Sequence, residues 1–547
     1  MKPLVRNASA RRGARAIIVA LACGLLFGLS GCGIPALRKP MSAQMLPDTF
    51  NGQATAENSS EVPPVEFFND PNLTSLINQA LFGNQELRIL AQSIFEASND
   101  VMRRRGTYLP FVTFGTGASL EKLSTFTPPG AELLELNTPT GDMFPNPLPN
   151  FLIAADVTWQ IDIWRQLRNA RDAAGLRYLG TTDGWNYVVT RMVAEVAENY
   201  YKLMALDKQL ETLDFTIRLQ EQSLKVAKAQ KIGARGNELG VQRFEAEVRK
   251  NQSEKWIIYQ EIIQTENKIN FLCGRFPQPI ARQSAQFLDL QLQALNVGVP
   301  AQLLRNRPDI RQAERNLSAA GLDIRVARAN FYPKVMLTTG VGYEAFNTRY
   351  FFYSPESLIY GVAGNLVMPL INKTAIRADY LDANAKQLEA LYEYQRAILN
   401  GFTEVVNRMA KVRNYSQSIA LKRQQLAALE KAVEVADILF QNARIEYIDV
   451  LFAQRDRNDA RIVLIETKQE QLSAIVNAYQ ALGGGWRYVG PPMRLPPTGP
   501  EGPPLQLPPN LRPPEPKLEE LPAPPNPVQP PPPPPPQAAA AAAAAAR

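Results

Sequence analysis

From Phe151 to Phe276, and again from Leu370 to Gly490, the chain has no proline and carries apolar residues at helical spacing. Val189, Val196, Leu203, Leu210, Ile217 and Leu224 recur every seven residues, and Ile398, Val405, Val412, Ile419, Leu426 and Val433 do the same in the second stretch. A heptad series with further apolar positions between its members predicts long helices packed as coiled coils. A helix over 165–231 would reach roughly 100 Å at about 1.5 Å per residue, with glycines at 175, 180 and 184 as candidate bends. Each long helix is expected to turn sharply, near 233–238 and 442–446, and to return.

The two stretches belong to an internal repeat. At an offset of 223, Leu87 falls on Ile310, Arg88 on Arg311, Ile94 on Leu317, Tyr108 on Phe331, Pro110 on Pro333 and Gly117 on Gly340. At an offset of 209, Val226 falls on Val435, Ala234 on Ala443, Arg235 on Arg444 and Val241 on Val450. Two copies make a duplicated fold rather than a solenoid. Each copy opens with a predicted helix (about 73–107 and 304–330) that a proline ends. β-formers and glycines follow, and a return strand comes after a loop; the loop of the first copy, about 122–149, is rich in proline. The four expected strands lie near 109–121, 151–163, 333–346 and 357–369, the return strands alternating only loosely. The fold class is therefore mainly α with a small β component, a duplicated unit of helix, two strands and long helical hairpin.

No stretch after residue 32 offers the 18 or more consecutive apolar residues of a spanning helix, so a membrane crossing would have to use strands. Four strands cannot close a barrel, which takes about eight, and an open sheet edge is not tolerated in lipid. Transmembrane strands would thus require an oligomer that pools them.

The two ends are different material. Arg6, Arg11, Arg12 and Arg15 precede an apolar run from Ala16 to Phe27, as in a secretory signal. Ser30-Gly31-Cys32 then fits lipoprotein processing, with Cys32 diacylated and held in a leaflet. From Pro491 onward prolines are dense, ending in a run from Pro530 to Pro536 and then polyalanine, which predicts an extended or disordered tail. The expected segments are 1–31 signal, 32–64 lipidated linker, 65–281 first repeat, 282–300 connector, 301–490 second repeat and 491–547 tail.

Composition narrows the chemistry. There is no histidine, which removes His-based triads, His-ligated zinc and imidazole acid–base catalysis. Three cysteines cannot build a disulfide framework, and Cys273 reads as a small apolar residue near a helix end. The formal charge of +7 comes from Lys and Arg interspersed with acids along helical patterns, a solvated face rather than a nucleic-acid stripe. No phosphate loop, nucleophile elbow or metal-ligand cluster is present, so neither an enzyme nor a cofactor is expected.

Four segments resemble the TolC-like outer-membrane efflux proteins, and within them the acylated channels of resistance–nodulation–division pumps. They are Val299 to Leu317 (VPAQLLRNRPDIRQAERNL), Trp159 to Trp164 (WQIDIW), Tyr447 to Arg455 (YIDVLFAQR) and Ala481 to Trp486 (ALGGGW). The resemblance covers about residues 65 to 488. It implies a homotrimer whose chains share a twelve-stranded transmembrane barrel and a periplasmic α-helical tunnel. Such a duct is passive, served by an inner-membrane transporter and a periplasmic adaptor. The tips that meet the adaptor would be Ala234, Arg235, Gly236, Asn237 and Asn442, Ala443, Arg444, Ile445. The aperture carboxylate falls on Asp449, and three copies would make an acidic ring that favours cations. Ala234 and Ala443 stand where the tips usually carry glycine, and Gly240 and Phe452 where acids are expected. Two other readings remain open: an exit duct for protein secretion, and a lipid-anchored periplasmic coiled coil with no pore.

Overall fold

The computed structural model describes residues 34–42, 45–138, 141–234, 236–368, 373–442 and 444–488. The expected signal, Cys32 and the proline-rich tail lie outside these residues, as do Arg235 and Ala443. In chain order the elements are α1 (Pro64–Phe68), α2 (Pro71–Gly83), α3 (Gln85–Tyr108), β1 (Phe111–Glu121), α4 (Pro128–Glu135), β2 (Leu148–Ile161), α5 (Gln166–Ile232) and α6 (Glu238–Leu272). The second half follows with α7 (Ala301–Asn306), α8 (Pro308–Ala329), β3 (Lys334–Ala345), β4 (Leu358–Val367), α9 (Thr374–Gln441) and α10 (Tyr447–Ala481).

The heptads did what coiled-coil seams do. Val189, Val196, Leu203 and Ile217 are buried on α5, and Val405, Ile419, Leu426 and Val433 on α9; the other four members are half-buried. α5 and α9, of 67 and 68 residues, each run unbroken through two layers of helices. Next to the sheet the order of packed neighbours is α3, α5, α8, α9, and farther away it is α6, α5, α10, α9. The largest apolar core lies between these layers, where Phe67, Leu73 and Ile77 pack on Tyr200, Leu203, Ile269, Leu472 and Tyr479.

Three expectations need correction. The helix predicted over 73–107 is two helices, parted at Asn84, whose side chain accepts from the Glu86 and Leu87 amides at 2.8 and 3.2 Å. The same amide group donates to Leu272 O at 2.9 Å, so the break is fixed by a contact with the end of α6. The helix predicted over 304–330 likewise breaks at Arg307, which is extended ahead of Pro308 at the first helical position. The proline-rich loop at 122–149 holds α4, opened by Pro128 in the same way. With its three glycines, α5 is one continuous helix. A Cβ on Gly180 would lie 3.5 Å from the Arg315 Cβ and 3.8 Å from the Gln312 carbonyl oxygen, so α8 packs closely on α5 at this glycine.

Candidate functional site

The sheet has the order β1-β2-β3-β4, every pair antiparallel. Because side chains alternate across a strand, the register sorts residues onto two faces. One carries Val112, Phe114 and Leu120, then Ile153, Val157 and Trp159, then Val335, Leu337 and Val341, then Tyr360, Val362 and Leu366. The other carries Thr113, Asn150, Asp156, Thr158, Gln160, Thr338, Glu344 and Asn365, interleaved with glycines. On this polar face Gly342 is obligatory, since a Cβ there would come within 2.7 Å of the Ala154 Cβ. Strands of 10 to 14 residues are long enough to cross a bilayer core when tilted. Among the described residues no helix is long and apolar enough to do so.

β1 and β4 each leave one edge unpaired. Chain continuity extends those edges: α3 leads directly into β1, and β4 leads on to α9. One side of the molecule is therefore β1, α3 and α6, and the other is β4 and α9. Both sides expose apolar residues, Ile89 (67%) and Trp256 (73%) on the first, Leu399 (62%) and Leu421 (66%) on the second.

The outer membrane efflux protein family model matches residues 76–255 and 299–484. The chain belongs to that family. Among its relatives, Cation efflux system protein CusC of Escherichia coli O6:H1 is 26% identical over 466 residues, 84% of this chain and 97% of that one. Pyoverdine export outer membrane protein OpmQ of Pseudomonas putida is 29% identical over 475 residues, 85% and 96% of the two chains. In fold, a membrane protein from Pseudomonas aeruginosa aligns at a TM-score of 0.74 and 22% identity, over 83% of this chain and 98% of its own. The MtrE outer membrane channel of Neisseria gonorrhoeae, in its open state, aligns at 0.71 and 21%, over 83% and 98%. This efflux protein thus has the mainly helical, small-sheet fold of those channels, and its place is the outer membrane.

The hairpin ends of the efflux protein are built locally. At the first, α5 stops at Gly233 and Ala234 takes a left-handed conformation with φ of 56°. Asn237 caps α6, its side chain accepting from the Gly240 amide at 2.8 Å, and Lys231 pairs with Glu238 across the turn. Gly240, where an acid was expected, is thus part of the cap. At the second, Asn442 donates to Ile438 O at 2.8 Å and the Arg444 amide to Leu439 O at 2.9 Å. Ile445 is half-buried beside them. Asp449 is exposed and serves a capping box with Glu446, accepting from the Glu446 amide at 3.2 Å. The structure so gathers Ala234, Gly236 and Asn237 at one turn and Asn442, Arg444 and Ile445 at the other, with Asp449 one turn into the returning helix.

Besides α4, sequence reading missed the segment ahead of the first repeat. Residues 34–42 lie as a strap against α9: the Arg38 amide donates to Asn384 Oδ1 at 2.9 Å, and Ile34 and Leu37 pack on the cluster of Ile324, Phe331, Tyr380 and Ala383. The signal was weak because the strap has no periodicity and its partner lies 346 residues away.

Proposed function

We propose that three copies of this efflux protein pool their sheets into one closed barrel in the outer membrane and their helices into a periplasmic tunnel, a passive exit duct for small molecules. The observation that supports this best is the pair of open sides, continuous from sheet to hairpin. Neither sheet edge can face lipid, so the β1 side of one copy meets the β4 side of another. A head-to-tail contact of this kind closes into a ring, and three copies give the twelve strands that the family resemblance implies. The apolar face then meets lipid and the polar face lines the water-filled lumen.

The tips, from Ala234 to Asn237 and from Asn442 to Ile445, are the surfaces offered to a periplasmic adaptor, which in turn joins an inner-membrane transporter. Exposed Ile232 (87%) and Leu239 (58%) beside the first tip support a partner there. Asp449 would supply the acidic ring at the aperture, its exposure at a helix start being consistent with that role. Cys32 would carry the acyl anchor; two residues later Ile34 packs beside Phe331, just ahead of β3, where the periplasmic leaflet would lie. The names of relatives span cation, solvent and pyoverdine export, in keeping with a general conduit whose cargo is chosen by the transporter.

The test is native mass measurement and planar-bilayer conductance of the lipidated protein, alone and with the Lys231–Glu238 pair removed by K231A/E238A. A trimer with discrete, long-lived conductance steps is expected. A monomer silent in both forms would replace the duct by a lipid-anchored scaffold, and secretion of a protein substrate by its pump would replace small-molecule export.

A further inference from the structure

We infer that the outer face where the helices meet the sheet is a binding surface for anionic phospholipid headgroups of the periplasmic leaflet, an inference that rests on the outer-membrane placement above. The apolar cluster under the strap is rimmed by cations in a regular way. Arg325 follows Ile324, Arg328 follows Ala327, Arg377 follows Ile376 and Arg38 follows Leu37, each apolar residue belonging to the cluster and each arginine being exposed. Among the described residues none of these four guanidinium groups has a carboxylate partner. The acids nearby are otherwise disposed. Asp323 pairs with Arg177 and Asp382 with Lys386. Asp379 is two residues from Arg377, hence about 200° around the helix, on the face of Asp382.

An aromatic pair marks the depth of this rim. Trp164 stacks on Tyr332 with ring centroids 4.7 Å apart, and its indole N–H donates to Pro333 O at 2.8 Å, one residue ahead of β3. Trp164 is 44% exposed. Tryptophan and tyrosine at a strand end sit at headgroup level in a bilayer. Cations at that level attract anionic lipid, each by an amount that falls with salt. The strap already covers the apolar cluster, so what the surface offers is the exposed arginines around it, placed to receive headgroup phosphates.

The full chain would be reconstituted in phosphatidylcholine vesicles containing either bromine-tailed phosphatidylglycerol or bromine-tailed phosphatidylcholine, and tryptophan quenching measured. Quenching by the anionic lipid is expected at roughly fivefold lower mole fraction, as about one cation's attraction would give. That preference should vanish in R325Q/R328Q/R377Q, persist in R325K/R328K/R377K and fade at high salt. Equal quenching by the two lipids in the wild type, or an unchanged preference in the glutamine variant, would overturn the site. Quenching by neither lipid would overturn the membrane placement itself, and the site with it.

Discussion

The Arg307 guanidinium lies 2.9 Å from the Glu404 carboxylate, inside a pocket that leaves the arginine 3% exposed. The same nitrogen donates to Ala481 O at 2.8 Å, and Asp309 accepts from the other two nitrogens at 3.1 and 2.7 Å. One side chain so joins the start of α8, the middle of α9 and an orphan carbonyl at the end of α10. Removing one partner of a buried charge network costs about 3–5 kcal/mol, and that is the loss expected for Arg307→Ala in thermal unfolding followed by circular dichroism. Arg307→Lys should recover little of it, because a single ammonium cannot reproduce the planar fork. Full recovery by lysine would mean that charge alone matters here.

This residue illustrates what a sequence can reveal. The run around Arg307 is recognisable as a family motif, yet its partners lie 97 and 174 residues away, out of reach of any local pattern. The long helices were legible because their heptads are local. The strands were legible as β-formers, but β2 alternates loosely because Leu152 and Ala154 sit on its polar face. Only the register with β3 separates the two faces. The break at Asn84 was hidden for the same reason, since its second partner belongs to α6. Helix α4 could have been read, as Pro128 stands where a first helical position favours proline.

Lys468 is 6% exposed on α10, and its ammonium donates to the Gln471 side chain at 3.1 Å. Burial, with Arg423 nearby, holds its pKa below the usual lysine range, partly countered by Asp289. The folded protein therefore binds this proton less well than the unfolded chain, and stability rises with pH from the depressed pKa up to the ordinary one. Lys468→Met removes a buried charge at similar volume and should stabilise the fold by roughly 1–3 kcal/mol at neutral pH. The difference between variant and wild type should shrink towards pH 10 or so, as the lysine loses its proton. A gap that stays constant with pH would show that packing, not charge, sets it.

Ala234 adopts a φ of 56°, a region that costs a residue with a Cβ about 1–2 kcal/mol. Glycine relieves this at a smaller entropic cost, which explains why a glycine would suit the turn. Ala234→Gly should therefore slow local opening of the first tip, read as roughly fivefold slower amide hydrogen exchange over the last turn of α5. Faster exchange in the variant would show that chain entropy outweighs the strain.

At Asp449 a charge and a helix cap coincide, since its carboxylate accepts the Glu446 amide at 3.2 Å. Asp449→Asn keeps an acceptor at that place and removes the charge. The variant should lose much of its cation preference in reversal-potential measurements on reconstituted protein while keeping its helical content. Asp449→Ala should lose both the preference and about 1 kcal/mol of local helix stability. Unchanged ion selectivity in the asparagine variant would remove Asp449 from the aperture and leave it a cap.

The two faces of the sheet make opposite demands on neighbouring residues of β2. Val157 lies in the apolar layer with Val112 and Thr339, and Thr158, the next residue, lies with Phe111 and Thr338 on the polar face. An arginine facing the middle of a bilayer costs about 2–4 kcal/mol, whereas one facing a water-filled lumen costs little. Val157→Arg should therefore lower the yield of assembled protein in the outer membrane and its resistance to urea, while Thr158→Arg should assemble normally and conduct cations less well. The comparison controls for strand position and for the bulk of the new side chain. Equal tolerance of the two arginines would mean that neither face of this sheet meets lipid, and that the strands serve a soluble structure instead.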